Sequence, residues 1–205
     1  MNEKDMQIYR DEFWNLVHDL RDNVLRDFME FFVKEIGDEY FSSPGSRKNH
    51  HGYDGGLCEH SVSIARLAWK SANQFCNMGI AVSKDIVVVG ALLHDIGKIK
   101  AYHKPHEEWE YTADASMIYH IPLGYGMALE LFRKFNEQCE LVEHTLDEKK
   151  MRKILHIILS HHGNKAWGSP IEPQTPEALI VHLCDMMDAG VKKITTTGPY
   201  HIYHT

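Results

Sequence analysis

The sequence predicts an all-helical fold built as a single domain. Apolar residues recur at helical spacing through most of the chain, and no stretch alternates apolar and polar residues as a half-buried strand would. We find no internal repeat and no low-complexity tract. A length of 205 residues, with 43% hydrophobic and 25% charged residues, suits one globular domain with a single core.

The N-terminal region predicts two helices followed by a long loop. Helical spacing of apolar residues runs from Tyr9 to Leu20 and resumes from Val24 to Phe32. Asp22 is placed to cap the second helix, and Gly37 is placed to end it. Residues 38–56 then contain Pro, Gly and Ser clusters, and a loop of this length inside a compact domain usually has a function.

Two further helices follow this loop. The first carries apolar residues at helical spacing from Cys58 to Phe75, which places His60 in its first turn. Ser83 is placed to cap the second, which is apolar from Ile86 onward and ends at His94-Asp95. Gly97 suits the left-handed turn that often follows a helix C-terminus.

The central region predicts a surface loop and a helix with an ambiguous boundary. Residues 100–111 combine charges with Pro105 and indicate a surface loop, after which Thr112 can cap a short helix. His120 closes that short run. Pro122 can either kink it or open a new helix, and the sequence leaves both alternatives open.

The C-terminal region predicts two more helices. Thr145 followed by Glu148 is a capping-box pattern, and the apolar helix that it starts should end before Gly163. The last helix should open at Thr175-Pro176 and stop at Gly190.

Composition excludes several classes of protein. The longest apolar run is far shorter than the roughly 20 residues of a membrane span, and the charged N-terminus does not resemble a signal peptide, so we expect a cytoplasmic protein. The four cysteines have no CxxC spacing, which argues against a zinc knuckle or a disulfide framework. A net charge of -7 disfavours a large nucleic-acid surface, because affinity for phosphates comes mainly from Lys and Arg.

The most informative residues are potential metal ligands at or near the ends of apolar helices. They are His60, His94, Asp95, His120, His161 and Asp185. Imidazole and carboxylate ligands together suit divalent transition metals, and a carboxylate can bridge two ions. Asp95 is the natural bridge. The other His-Asp pair, His18-Asp19, is not part of this series of potential ligands, and we interpret it as a chance pair.

Each of these residues also has an ordinary structural explanation. A His at a helix end often only caps the last carbonyl groups. Asp185 is harder to explain in that way, because an ionised carboxylate in an apolar helix must be paired or coordinated. Asp188 is interpreted instead as a solvated or capping residue. Lys98 is by default a solvated charge after a helix, and with a metal site beside it Lys98 becomes a phosphate contact. His162 is either a further ligand or a neighbour of His161.

The ordered set His, His-Asp, His, His and Asp resembles the HD superfamily of metal-dependent phosphohydrolases. Several segments are similar in particular to the HD domain of the YhaM-type 3′-to-5′ exoribonucleases. They are Asn49-His50-His51, Gly55-Gly56-Leu57, Leu92 to Lys98, Glu110-Tyr111-Thr112, Ile158 to Gly163, Trp167 to Pro170 and Asp185 to Ala189. The resemblance spans roughly residues 15 to 190.

The resemblance implies an HD fold with N-terminal helices over 1–44, a metal-binding core over 45–190 and a tail over 191–205. One ion would be held by His60, His94, Asp95 and Asp185, and a second by Asp95, His120 and His161. Manganese would be the usual ion, with iron, cobalt, nickel, magnesium or zinc as alternatives. A hydroxide bridging the two metals would attack phosphorus, with Lys98 and His51 contacting phosphate.

Those exoribonucleases carry an N-terminal OB-fold that holds single strands, whereas the start of this chain predicts helices, so we expect no OB-fold here. The remaining candidates for substrate binding are cationic, imidazole or aromatic side chains: Arg47, Lys48, His50, Lys165 and Trp167. We therefore expect a phosphodiesterase that acts on nucleic acid 3′ ends. Hydrolysis of a nucleotide, a cyclic nucleotide or a short oligonucleotide is the close alternative, and a di-iron oxygenase or a non-catalytic nucleotide sensor remains open.

Overall fold

A computed structural model describes residues 3–47, 51–139 and 144–197, and it confirms the all-helical prediction. In the described ranges, nine α-helices, one short 3₁₀ helix and one two-stranded hairpin make up the regular structure. They are α1 (Glu3–His18), α2 (Asn23–Ser42), α3 (Gly56–Asn77), α4 (Lys84–Leu93), α5 (Lys98–Ala101), β1 (Tyr102–His103), β2 (Glu110–Tyr111), α6 (Ala113–Ile118), α7 (His120–Gln138), α8 (Glu148–Ser160), the 3₁₀ helix Lys165–Trp167 and α9 (Pro176–Thr197). Among these elements, none is a helix long and apolar enough to cross a membrane.

Helices α3 and α4 form the centre of the fold. Helix α3 packs against α1, α2, α4 and α9, and α4 packs in turn against α8 and α9. All residues of α4 from Ile86 to Leu93 are buried, as expected for a helix that is apolar on every side. The C-terminal end of α4 therefore delivers the residues that follow it into the interior of the protein.

Polar contacts fix both ends of α4. At its N-terminus, the buried Glu177 accepts hydrogen bonds from the Ser83 backbone N–H at 3.1 Å and from Lys153 Nζ at 2.7 Å. Towards its C-terminus, the buried Tyr40 hydroxyl donates to the Leu92 carbonyl at 2.8 Å. The last carbonyl groups of a helix have no partner within the helix, so the Tyr40 contact stabilises the end that precedes His94.

The predicted N-caps that depend on a single side chain are confirmed. Asp22 accepts from the Leu25 backbone N–H, Ser83 from that of Ile86, and Thr112 from that of Ala115, at 3.1 to 3.3 Å. The prediction that His120 closes the short helix is wrong, because α6 ends at Ile118 and His120 begins α7. Pro122 lies inside the first turn of α7, so it opens a new helix rather than kinking α6.

Three other predicted helix boundaries are also wrong. Helix α2 continues through Gly37 to Ser42, with a kink at Ile36, because Phe41 and its neighbours bury that last turn. Helix α8 is capped by Asp147, which accepts from the Lys150 backbone N–H at 2.9 Å, rather than by a capping box at Thr145.

The third error is at the C-terminal end of the last helix. Helix α9 does not stop at Gly190 but continues to Thr197. A glycine costs a helix interior only about 1 kcal/mol, which the contacts of the surrounding turns can offset. Residues 100–111 also contain a small hairpin within the predicted loop, in which Tyr102 pairs with Tyr111.

Candidate metal centre

The six predicted ligands come from five helices or helix ends of the chain and converge on one cluster. His60 lies in the first turns of α3, His94 and Asp95 follow α4, His120 begins α7, His161 follows α8, and Asp185 lies in α9. All six are buried or nearly so. The cluster forms because α3, α4, α8 and α9 pack around one core and present these ends or faces to the same place.

Asp95 stands at the centre of the cluster and divides the histidines into two pairs. Its Oδ2 lies 3.5 Å from His60 Nε2 and 3.2 Å from His94 Nε2. Its Oδ1 lies 3.3 Å from His120 Nε2 and 3.5 Å from His161 Nε2. Each carboxylate oxygen therefore faces its own pair of imidazole nitrogens, which is the arrangement of a carboxylate able to serve two ions.

The ring orientation of two of the histidines is set by the helices that precede them. His94 Nδ1 donates to the Ala91 carbonyl at 2.7 Å, and His161 Nδ1 donates to the Ile158 carbonyl at 2.8 Å. A carbonyl oxygen can only accept, so each ring carries its proton on Nδ1 and leaves the Nε2 lone pair free to bind a metal.

The donor atoms of the cluster fit a metal site. The buried atoms His94 Nε2, Asp95 Oδ1, His120 Nε2 and His161 Nε2 have no hydrogen-bond partner among the described residues. Buried polar atoms are rarely left unpaired in proteins, because each one costs free energy. Four such atoms aimed at one point, all of them nitrogen or oxygen, suit divalent transition metals.

The electrostatics of the cluster also favour a cation. The Lys98 ammonium beside Asp95 holds the pKa of that carboxyl well below its usual range, against the effect of burial. Burial lowers the pKa of His60, but hydrogen bonds with Asp185, Asp188 and Asp95 outweigh it and raise its pKa to about 10. Burial lowers the pKa of His120 to about 4. The carboxylates are therefore charged, and a metal must displace a proton from His60.

Asp188, one of the residues behind the cluster, is buried, and its interpretation as a solvated or capping residue is wrong. It accepts from His60 Nδ1 at 3.2 Å and from Ser63 Oγ at 2.7 Å, and its Oδ2 lies 3.4 Å from His51 Nε2. These contacts orient His60 so that its Nε2 faces Asp95 and Asp185. Asp188 follows Asp185 by three residues on one helix, so the sequence already places both side chains on the same face. This spacing could have predicted that Asp188 belongs to the site.

We expect Asp188→Ala to weaken metal binding by about 10- to 100-fold, because the His60 ring loses the acceptor that orients it. Asp188→Asn should keep most of the affinity, since an amide oxygen still accepts a hydrogen bond. Titration with Mn²⁺ followed by calorimetry measures both. The exposed Asp27→Ala is the matched control, and an unchanged affinity in Asp188→Ala would contradict this role.

Gly97 permits a close approach rather than a left-handed turn, so the predicted reason for this glycine is wrong. Its φ is -64°, an ordinary helical value. A Cβ added at this position would lie 1.9 Å from the His120 carbonyl oxygen and 2.5 Å from the Gly124 backbone nitrogen. The turn after Asp95 therefore packs directly on the start of α7, which brings His120 to Asp95.

We expect Gly97→Ala to destabilise the fold by about 3 kcal/mol, because the new methyl group meets backbone atoms that cannot move aside. Chemical denaturation measures the change. Gly126→Ala is the matched control within α7, where an added Cβ meets nothing within 4 Å, and it should stabilise by about 0.5–1 kcal/mol. Equal stability of the Gly97→Ala variant and the wild type would refute the close approach.

The cluster opens to solvent through a small cleft of about 240 Å³, lined in part by His51, Lys98 and His162. Lys98 forms an ion pair with Asp95 Oδ2, and its side chain is only 13% exposed, so its interpretation as a solvated charge is wrong. His51 is buried in a left-handed backbone conformation, where it accepts a hydrogen bond from Lys192 Nζ at 2.5 Å. His162 Nδ1 donates to the Trp167 carbonyl at 2.6 Å, which ties this side of the cleft to the 3₁₀ helix.

The predicted substrate-binding residues are only partly placed near the cleft. Lys165 and Trp167 are exposed on the 3₁₀ helix that His162 contacts. Arg47 is exposed, with its guanidinium 5.3 Å from the centre of the Tyr111 ring. Lys48 and His50 lie outside the described residues. His18, which forms the chance His-Asp pair with Asp19, is exposed at the end of α1. Its ring stacks on Trp14, away from the cluster.

The fold and the cluster together define a class: an all-helical protein whose helix ends assemble a buried His/Asp site suited to divalent metal. The chain belongs to the HD-domain family, whose model matches residues 57–190. This match contains all six residues of the cluster.

Curated proteins with similar sequences support the same class. The chain is 31% identical over 179 residues to the 3′-5′ exoribonuclease YhaM of Bacillus subtilis, covering 87% of this chain and 52% of that protein. It is 30% identical over 175 residues to the 3′-5′ exoribonuclease YhaM of Bacillus licheniformis, and this alignment covers 85% of this chain and 51% of that protein. The chain thus spans about half the length of these curated relatives. The family and these relatives support a hydrolytic enzyme. No solved structure matches significantly.

Proposed function

We propose that this chain is a metal-dependent phosphodiesterase that hydrolyses nucleic acid from the 3′ end. The observation that carries the proposal is the division of the Asp95 carboxylate, each oxygen of which faces a different pair of histidine Nε2 atoms. The name of the exoribonuclease relatives supports RNA as the substrate.

In this proposal the cluster holds two divalent ions. His60, His94, Asp95 and Asp185 hold one of them, and Asp95, His120 and His161 hold the other. His162 lies close enough to His120 and His161 to add a ligand to the second. Bound there, the ions supply the ability to activate water at neutral pH and to neutralise charge on phosphoryl oxygens. Manganese is the ion that we propose.

Lys98 and His51 act on the substrate phosphate in this proposal. Lys98 lines the cleft next to Asp95, with which it forms an ion pair. Its ammonium has three N–H donors, so it can donate to a phosphate oxygen in the cleft as well as to Asp95. A fixed positive charge at that place stabilises negative charge as it develops. His51 lines the same cleft, and the hydrogen bond from Lys192 Nζ to its Nε2 holds its ring in place.

The neighbouring surface supplies the contacts with nucleic acid. Trp167 is 52% exposed beside His162, where its ring can stack on a base, and Lys165 adds a positive charge next to it. Arg47, from the loop that precedes α3, lies over the ring of Tyr111. We propose that Lys48 and His50, next to Arg47 in sequence, contact the phosphate backbone.

One observation favours a shorter substrate as the second candidate. The cleft has a volume of about 240 Å³, below the roughly 300 Å³ at which ordinary ligand pockets begin, and three carboxylates, Asp95, Asp185 and Asp188, line it. Together with the net charge of -7, this suits the end of a strand, a nucleotide or a short oligonucleotide better than a long duplex.

The test is Mn²⁺-dependent hydrolysis of RNA and DNA labelled at either end, beside bis-p-nitrophenyl phosphate and nucleoside triphosphates. Stepwise shortening from the 3′ end, blocked by a 3′-phosphate, is the expected result. Trp167→Ala should raise KM with little change in kcat. Phosphate release from mononucleotides alone would favour the second candidate. Metal-loaded protein that hydrolyses none of the panel would overturn both, leaving an oxygenase or a nucleotide sensor.

A further inference from the structure

Helix α9 presents a row of apolar side chains to solvent on the side opposite Asp185 and Asp188. We call this row the outer stripe. Its members are each between 45% and 57% exposed: Leu179, Leu183, Met186, Met187, Val191 and Ile194. The other side of the same helix is also apolar, with Ala178, Val181 and Cys184 buried against the core. A surface helix normally keeps polar side chains on the face that points away from the core, so an apolar row on that face of α9 is unusual.

The outer stripe is continuous and uncharged. Leu179 is followed four residues later by Leu183, which has Met186 and Met187 three and four residues after it, and Val191 and Ile194 continue the row at spacings of four and three residues. Together with Gly190, they lie along one face for about 22 Å. None of them carries a polar side chain. Six half-exposed apolar side chains expose on the order of 500 Å², more than single scattered residues do, and such patches mark interaction sites.

We propose that the outer stripe is the interface of a homodimer, in which α9 of one copy packs antiparallel on α9 of another. The charge of the molecule favours a second copy as the partner. At a net charge of -7 most surfaces of two copies repel one another, whereas the uncharged stripe can meet itself without like-charge contacts. Its area supplies most of the roughly 800 Å² that each partner contributes to a stable interface.

The stripe is also self-complementary about a two-fold axis through its middle, between Met186 and Met187. That axis places Leu179 opposite Ile194, and Leu183 opposite Gly190, of the other copy. Among the described residues, and apart from the backbone of α9 itself and the two chain neighbours, no atom lies within 4 Å of the place where a Gly190 side chain would begin, so the surface there has room for the partner's Leu183. A large side chain entering such a gap is the usual packing of paired helices.

Sedimentation equilibrium of the full chain at micromolar concentration tests the proposal. We expect the wild type to have twice the mass of 23.7 kDa and a Leu183→Glu/Met187→Glu variant to have that mass once. The matched control, Ile8→Glu/Met78→Glu, changes two exposed apolar residues elsewhere, 50% and 64% exposed, and should stay dimeric. A monomeric wild type, or a double variant in α9 that remains dimeric, would overturn the proposal.

A second variant decides the matter if the charged substitutions disturb folding, as circular dichroism would reveal. Met187→Cys places a thiol beside the proposed axis, so mild oxidation should join two copies in a disulfide that the wild type, whose four cysteines are buried or partly buried, does not form. Failure of the Met187→Cys variant to form this cross-link would count against the antiparallel pairing.

Discussion

Replacement of Asp95 by Ala should lower the rate of metal-dependent hydrolysis by about 10³-fold or more, because this one side chain faces both pairs of histidines. In the proposed arrangement, each of the two ion sites would lose a ligand. Lys98 also loses its ion-pair partner, so the positive charge beside the cleft is free to move. Initial rates with bis-p-nitrophenyl phosphate and with labelled RNA measure the loss.

Two further variants make this result specific. Asp95→Asn keeps the shape of the side chain but loses its charge, so it should also be strongly impaired if charge and bridging matter. The exposed Asp38→Ala on α2 should retain full activity. Circular dichroism must show that the Asp95 variants keep their helices. An Asp95→Ala protein that is folded and fully active would refute a metal role for the cluster.

Addition of a saturating divalent ion should raise the melting temperature of the metal-free protein by about 5–10 °C. At a concentration one hundred times Kd, one bound ion stabilises by about 2.7 kcal/mol. For a chain of 205 residues each kcal/mol corresponds to roughly 2–4 °C. The gain arises because the ion provides partners for the buried ring nitrogens that have none among the described residues. Differential scanning fluorimetry with and without chelator measures it.

This stabilisation should grow as the pH rises from 6 to 8. The pKa of His60 is raised to about 10, so a proton occupies this ring throughout that range and the ion must displace it. Binding that releases a proton becomes stronger at higher pH. His161→Gln, which removes one of the unpaired nitrogens, should lose much of the gain. A melting temperature that is indifferent to the ion in the wild type would contradict the metal site.

The sequence was informative about the fold wherever a local pattern determines the structure. Asp22, Ser83 and Thr112 cap helices as predicted, because a cap needs only one side chain and an N–H group three residues later. The helix ends at Gly37 and Gly190 were predicted wrongly. A glycine favours a helix end locally, but contacts distant in sequence can extend the helix beyond it.

By itself the sequence determined which residues could bind metal, since the order of His and Asp at apolar helix ends can be recognised without coordinates. Only the tertiary structure showed that the two Asp95 oxygens face different histidines, that Asp188 orients His60, and that Gly97 is required by the approach of α7. These features join residues as far apart as 128 positions. Distances of this kind follow from how helices pack, and helical periodicity gives the face of each helix but not its neighbour.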